Sequence, residues 1–232
     1  MKVGVINYSG NVGKSTLARH FLAPRMNTNV IAVETINSDG TDDEAIKGKQ
    51  FGELIEALGV LNAAVIDVGS SNVEEFVAQM KTYRGSHEDF DFFVVPTVPK
   101  TKQLRDTIST IEALAEIGVP AKKIRLVFNM VEHGDNPAQI FSSLLDYHSK
   151  EKTFTIKEEA VIHANDIFGK IQGGEESIMQ ILNEDIDVLK SQLKETTSSD
   201  ERLRISRRIS IKRLATGVTE ELDMVFKALF VK

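Results

Sequence analysis

Apolar residues along this chain keep two alternating rhythms. Short, nearly continuous runs, KVGVIN (2–7), NVIAVET (29–35), NAAVIDV (62–68), DFFVVPT (91–97) and KIRLVFN (123–129), are rich in β-branched and aromatic side chains and end at polar or turn residues. Runs of this kind predict strands covered on both faces. Between them stand segments of helical period: GKSTLARHFLAPRM, SNVEEFVAQMKTYRG, TKQLRDTISTIEALAEIG and, after the fifth run, NPAQIFSSLLDYHSK. In the third, Leu104, Ile108, Ile111 and Leu114 share one helical stripe that stops at Gly118 and Pro120. The alternation predicts βαβ units and an α/β fold, a mostly parallel sheet flanked by helices on both faces.

From about residue 174 the pattern changes. GEESIMQILNEDIDVLKSQLKE predicts helix, with Ile178, Ile181, Leu182, Ile186 and Leu189 as a core stripe, and TTSSDE reads as a cap-like start for the basic stretch behind it. That stretch, RLRISRRISIKR (202–213), holds six basic residues and no acidic one. Its Leu203, Ile205, Ile209 and Ile211 alternate with period two, which leaves helix and strand both open. In EELDMVFKALFVK, Leu222, Val225, Phe226 and Leu229 share a helical face. That face suits packing on the domain. A membrane-surface helix uses the same pattern, but Glu220, Glu221 and Asp223 oppose anionic lipid. The expectation for all 232 residues is a single domain, a core over about 1–172 and a helical carboxyl-terminal segment over about 173–232.

Composition narrows the classes. A hydrophobic share of 41% with 27% charged residues describes an ordinary folded chain. The absence of cysteine excludes disulfides, thiolate metal sites and a cysteine nucleophile, and fits a reducing interior. A formal charge of -6 gives no global attraction to nucleic acid or anionic lipid, so any such contact must be a local patch. No run of 18 apolar residues occurs and the amino-terminal stretch has no long apolar core, so the expected location is the cytoplasm. His20, His87, His133, His148 and His163 are dispersed, with no pair at helical metal-ligand spacing.

The candidate chemistry lies in NYSGNVGKST (7–16), directly after the first predicted strand, where ligands bind in folds of this class. Gly10 and Gly13 allow the backbone from Ser9 through Asn11 and Val12 to curl its amides around an anion, and the helix beginning near Lys14 adds its positive end. Lys14 would neutralise β- and γ-phosphate charge, Ser15 would offer its hydroxyl to Mg2+, and Thr16 would touch the next phosphate. The general pattern G-x-x-x-x-G-K-[ST] wants glycine where Tyr8 stands, so the plain motif fails.

SGNVGKST instead resembles the deviant phosphate loop of the ParA and MinD superfamily, K-G-G-x-G-K-[ST], which also lacks that glycine. AAVIDVGSS resembles the superfamily's next conserved strand, with Asp67 placed to hold the magnesium ion and its waters; Ser70 and Ser71 then read as loop residues beside the phosphates. FFVVPTVPKTKQLRDTISTIEAL resembles the following strand, proline and helix, and RLVFNMV the strand whose closing asparagine, here Asn129, contacts the base in relatives. His163 in VIHANDIF falls near where relatives line the base pocket. Order and spacing agree over roughly residues 1–170, and among members the chain looks most like plasmid stabilisation and transfer proteins of StbB or TraL type. The resemblance implies a P-loop ATPase fold, ATP and Mg2+ as cofactors, a homodimer, an adaptor protein and nonspecific DNA as partners. For DNA the candidates are Arg202, Arg204, Arg207, Arg208, Lys212 and Arg213.

Two departures limit what carries over. The superfamily's signature lysine falls at Ser9, and a glycine is replaced by Asn11. The second strand's D-x-D element reads VETIN, with Glu34 and Ile36 in the matching positions. Asp39 and Asp42 in NSDGTDD stand close by; Asp39 is the candidate replacement carboxylate, against the plainer reading of a solvated acidic turn. Losing a trans cation and a water-orienting carboxylate should spare binding and slow turnover. The expectation is a slow or partner-stimulated ATPase. A small-molecule enzyme resembling dethiobiotin synthetase, with Lys100, Lys102 and Arg105 above the γ-phosphate, and a non-hydrolysing scaffold are the alternatives.

Overall fold

A computed structural model describes residues 1–33, 44–171 and 176–231. Glu34, Ile36, Asp39 and Asp42 lie outside the described residues. Six strands, β1 (Lys2–Val5), β2 (Val30–Ala32), β3 (Ala64–Asp67), β4 (Phe92–Thr97), β5 (Ile124–Val131) and β6 (Val161–His163), form one sheet in the order β2-β3-β1-β4-β5-β6. Every neighbouring pair is parallel. Strand β1, first in the chain, is therefore central.

The pleat sorts the side chains into two cores. Val3 and Val5 of β1, Val65, Val94, Val127 and Ile162 point to one face; Ile66, Phe93, Val95, Leu126 and Phe128 point to the other. The first face is covered by a continuous helical rod, α1 (Lys14–Thr16), a π-helical turn (Leu17–Leu22) and α2 (Ala23–Met26). The second is covered by α3 (Glu44–Val60), α4 (Val73–Thr82), α5 (Thr101–Glu116), and the pair α6 (Pro137–Ile140) and α7 (Ser142–Glu151). Of the remaining helices, α8 (Asp166–Ile171), α9 (Ile178–Leu182) and α11 (Ser199–Phe230) return to the first face, and α10 (Ile186–Glu195) packs against α11. Buried apolar residues on both sides of β3, β4 and β5 explain why these runs are apolar without alternation. The connection leaving β1 goes to one face and those leaving β3 and β4 go to the other, so a crevice opens beyond the carboxyl end of β1.

The carboxyl-terminal segment corrects the sequence reading in one respect and completes it in another. The predicted stripe is not one helix. Ile178 and Ile181 are buried, but the chain breaks after Leu182, Asp185 caps α10 by accepting from the amides of Asp187 and Val188, and Ile186 and Leu189 are only half-buried. The basic stretch, open between helix and strand, is helix: it forms the first half of α11. Ile205 and Ile209 are buried there, alongside α9 and α10, whereas Ala215, Val218, Leu222, Val225 and Leu229 in the second half pack into the sheet's core. Of the four alternating residues, Ile205 and Ile209, one turn apart, are buried, Ile211 packs partly on the sheet's core and Leu203 is exposed, so the period of two marks no strand face. The face predicted for Leu222, Val225 and Leu229 is spent on the protein's own core. Among the described residues no helix is long and apolar enough to cross a membrane.

Candidate functional site

The loop between β1 and α1 sits over the crevice. Asn11 (φ 57°) and Gly13 (φ 87°) both take the left-handed conformation, and this turn hands the chain directly to α1 at Lys14. Glycine is required at 13: a Cβ there would stand 2.3 Å from Asn129 Nδ2. That same amide donates to the Val12 carbonyl at 2.9 Å, so the end of β5 holds the loop from behind. Lys14 is buried, and its Nζ donates to the Ser9 carbonyl at 2.7 Å, closing the loop on itself. Ser9 is 1% exposed, and its hydroxyl is buried with no hydrogen-bond partner among the described residues. The position assigned to a signature lysine thus faces inward. Ser15 is exposed at the first turn of α1, and Thr16 is half-buried beside it.

Asp67, 5% exposed, ends β3 in register with Val5, the last residue of β1. The loop after it touches the phosphate-loop candidate directly, since Ser70 Oγ would lie 3.6 Å from a Cβ on Gly10.

Asn7 is the residue that reading passed over. It is fully buried; its Nδ2 donates to the Pro96 carbonyl at 2.8 Å and to Thr107 Oγ1 at 2.9 Å, while its Oδ1 accepts from the Ser9 amide at 2.7 Å. The Tyr8 amide donates to Thr110 Oγ1 at 3.0 Å. The loop's first turn is thereby fastened to β4 and to the buried threonine face of α5, and Thr107 Oγ1 lies 3.0 Å from Thr97 Oγ1 to complete the network. A buried asparagine satisfied on both sides of its amide rigidifies what it joins. The clue in sequence was a polar residue closing an otherwise apolar strand. Burial, and then Glu74 and Glu116, hold the Tyr8 phenol above its ordinary range, so it stays protonated.

From this loop a cavity of about 900 Å³ extends past Thr16, Lys100, Asn129 and Met130 to His163 and Phe168. Its size suits a mononucleotide. Met130 sits at φ 55° where the β5–β6 register slips between Asn129 and Val131, a bulge that turns Asn129 towards the loop and leaves Met130 43% exposed in the cavity wall. His163 donates its backbone amide to Glu221 Oε1 at 2.9 Å and places Nδ1 2.8 Å from Glu221 Oε2 on α11. Its ring stacks on His133, centroids 4.5 Å apart and planes 11° apart. Two histidines far apart in sequence thus meet in space, yet among the described residues no group of three metal-binding side chains forms.

The six basic residues of the 202–213 stretch do not act together. Arg208 is gripped by Glu176 and Glu184, Lys212 donates to the Leu182 carbonyl, and Arg204 forms a two-point pair with Glu201 one turn earlier. Arg208 and Lys212 are struts that hold α9 and the following loop to α11. Arg202 donates to the Thr196 carbonyl, and Arg207 and Arg213 are exposed with no carboxylate partner among the described residues. Arg25, at the far end of α2, donates to the Phe21 and Thr219 carbonyls and pairs with Asp223 at 2.7 Å, fixing the second half of α11 to the loop's own helix.

No protein-family model and no curated protein matches the chain. Among solved structures it is similar to the MinD cell division protein of Aquifex aeolicus, at 14% identity over 93% of this chain and 96% of that one, with a TM-score of 0.51. It is also similar to pNOB8 ParA (11% identity, 97% and 98% covered, TM-score 0.49) and to the septum site-determining protein MinD of Pyrococcus horikoshii OT3 complexed with Mg-ADP (13%, 94% and 95%, 0.42). The likeness to the Aquifex protein shows a shared fold, a parallel P-loop sheet with helices on both faces.

Proposed function

We propose that this chain is an ATP-binding, slowly hydrolysing switch of the ParA and MinD superfamily that serves plasmid maintenance, positioning or conjugative transfer, as StbB- and TraL-type proteins do. The observation that carries the reading is the loop 9–14: a left-handed turn opening onto a helix amino terminus, with Lys14 folded onto the Ser9 carbonyl. An incoming phosphate offers that ammonium a charged acceptor in place of a neutral one. ATP would lie along the cavity, its phosphates over residues 9–16 and its base towards Asn129 and His163. The exposed Ser15 hydroxyl and the Asp67 carboxylate are hard oxygen donors that suit Mg2+. When bound, the ion spreads phosphate negative charge. Slow turnover follows from Ser9, whose buried hydroxyl offers no cation to a facing protomer. Asp39 is the carboxylate we assign to water positioning.

A homodimer with an adaptor protein completes the switch, and Arg202, Arg207 and Arg213 are the basic residues left to meet nonspecific DNA. A second reading, an ATP-dependent small-molecule enzyme resembling dethiobiotin synthetase, draws on Lys100, which lines the same cavity. Hydrolysis by purified protein, with and without duplex DNA at low salt, separates the two. For the switch, turnover rises with DNA and disappears in Lys14→Ala. Turnover indifferent to DNA removes the switch, and ATP binding without turnover under either condition leaves a scaffold.

A further inference from the structure

We propose that Glu221, on the carboxyl-terminal helix, sets which nucleobase the cavity accepts by fixing the tautomer of His163; the inference rests on the nucleotide reading above and deepens it. A carboxylate can only accept, so His163 Nδ1, 2.8 Å from Glu221 Oε2, carries the proton. With Nδ1 turned to α11 and the ring stacked on His133, Nε2 is the ring nitrogen with no partner among the described residues, and it is the one His163 can offer to the cavity it lines. In the neutral ring Nε2 is then a bare acceptor. Adenine presents an amino donor on its Watson–Crick edge where guanine presents a carbonyl oxygen, and an acceptor facing an acceptor leaves both unpaired. Glu221 is a positioning residue: it touches no part of the nucleotide.

The geometry supplies its own reversal. Glu221 takes two donors from His163, the backbone amide on Oε1 and the ring on Oε2. In Glu221→Gln the backbone amide, an obligate donor, claims the single carbonyl oxygen, and the side-chain amino group then faces Nδ1. That forces Nδ1 to accept and moves the ring proton to Nε2, which turns the cavity's acceptor into a donor. The substitution keeps shape and both hydrogen bonds while inverting what the pocket asks of the base.

The test has two readouts. Nitrogen-15 NMR of histidine-labelled protein at about pH 8.5, above the ordinary imidazole range, should show His163 protonated at Nδ1 in the wild type and at Nε2 in Glu221→Gln. Calorimetric titration with ATP, GTP and inorganic tripolyphosphate should show the wild type preferring ATP by about 5- to 150-fold, the factor one unmade buried hydrogen bond carries. In Glu221→Gln that preference should collapse or reverse while tripolyphosphate affinity stays within about twofold, because no phosphate contact changes. His163→Phe, which keeps a ring for the stack and leaves α11 untouched, should bring the ratio close to one even if the glutamine variant folds poorly. An Nε2-protonated wild type, or an unchanged ATP to GTP ratio in either variant, overturns the inference. Equal binding of ATP and GTP beside good tripolyphosphate binding defeats this inference alone; failure of all three to bind defeats the phosphate-loop reading and this one with it.

Discussion

Replacing Gly13 by alanine tests whether Asn129 props the loop from behind. Two costs arise. Alanine at φ 87° is in a conformation that L-residues avoid, at about 1–2 kcal/mol. Its Cβ would stand 2.3 Å from Asn129 Nδ2, so that amide must leave and the Val12 carbonyl loses its donor in a buried place, about 1–3 kcal/mol more. Together the substitution should destabilise the fold by about 2–5 kcal/mol. Urea unfolding followed by circular dichroism, with the linear extrapolation, measures the sum. A cycle with Asn129→Ala separates the parts: once the amide is gone only the backbone cost remains, so Gly13→Ala should then cost about 1–2 kcal/mol. If the alanine costs the same in both backgrounds, Asn129 does not hold the loop and its hydrogen bond to Val12 is incidental.

Asn7→Ala removes two donors and one acceptor from a fully buried junction and should cost about 2–4 kcal/mol in urea; ATP affinity should fall more than about tenfold while the protein is still folded, since the Ser9 amide loses its anchor. A variant that binds ATP normally would show that the α5 attachment is irrelevant to the site. Hydrogen bonding to Arg208 holds the Glu176 carboxyl below its ordinary value of 4.5. A depressed carboxylate contributes stability that is present above pH 4.5 and is lost as pH falls through the folded value. Arg208→Ala should therefore lower stability near neutrality by about 1–2 kcal/mol, a figure reduced for partial exposure, and flatten the acid limb of a stability–pH curve. An acid limb with unchanged slope would count against the pairing.

Strands β1, β3, β4 and β5 were legible to within two or three residues because buried parallel strands leave unbroken apolar runs, and the phosphate-loop candidate was legible because its glycine spacing is local. What escaped were relations between distant positions. Arg208 looked like a free cation until Glu176 and Glu184 closed on it from 32 and 24 residues away. His163 gave no hint of Glu221 or of His133. Asn7 was passed over, because nothing local to it announces that Pro96 and Thr107 will meet its amide. Binary patterning reports whether a residue is buried, and it is silent on which polar group it will be buried against.

Strand β1 is synthesised before β3 and β4 yet lies between them, which places a constraint on the nascent chain. Its Val3 and Val5 stay unpaired until residues 64–67 and 92–94 have been made, about 5–20 s later at ordinary elongation rates. The loop after β1 waits longer still, because its prop, Asn129, comes later in the chain. A ribosome stalled before Asn129 would thus carry every residue of the glycine-rich loop without the amide that holds the Val12 carbonyl, so the loop, though made before β3, β4 and β5, is completed only by a side chain from the fifth strand.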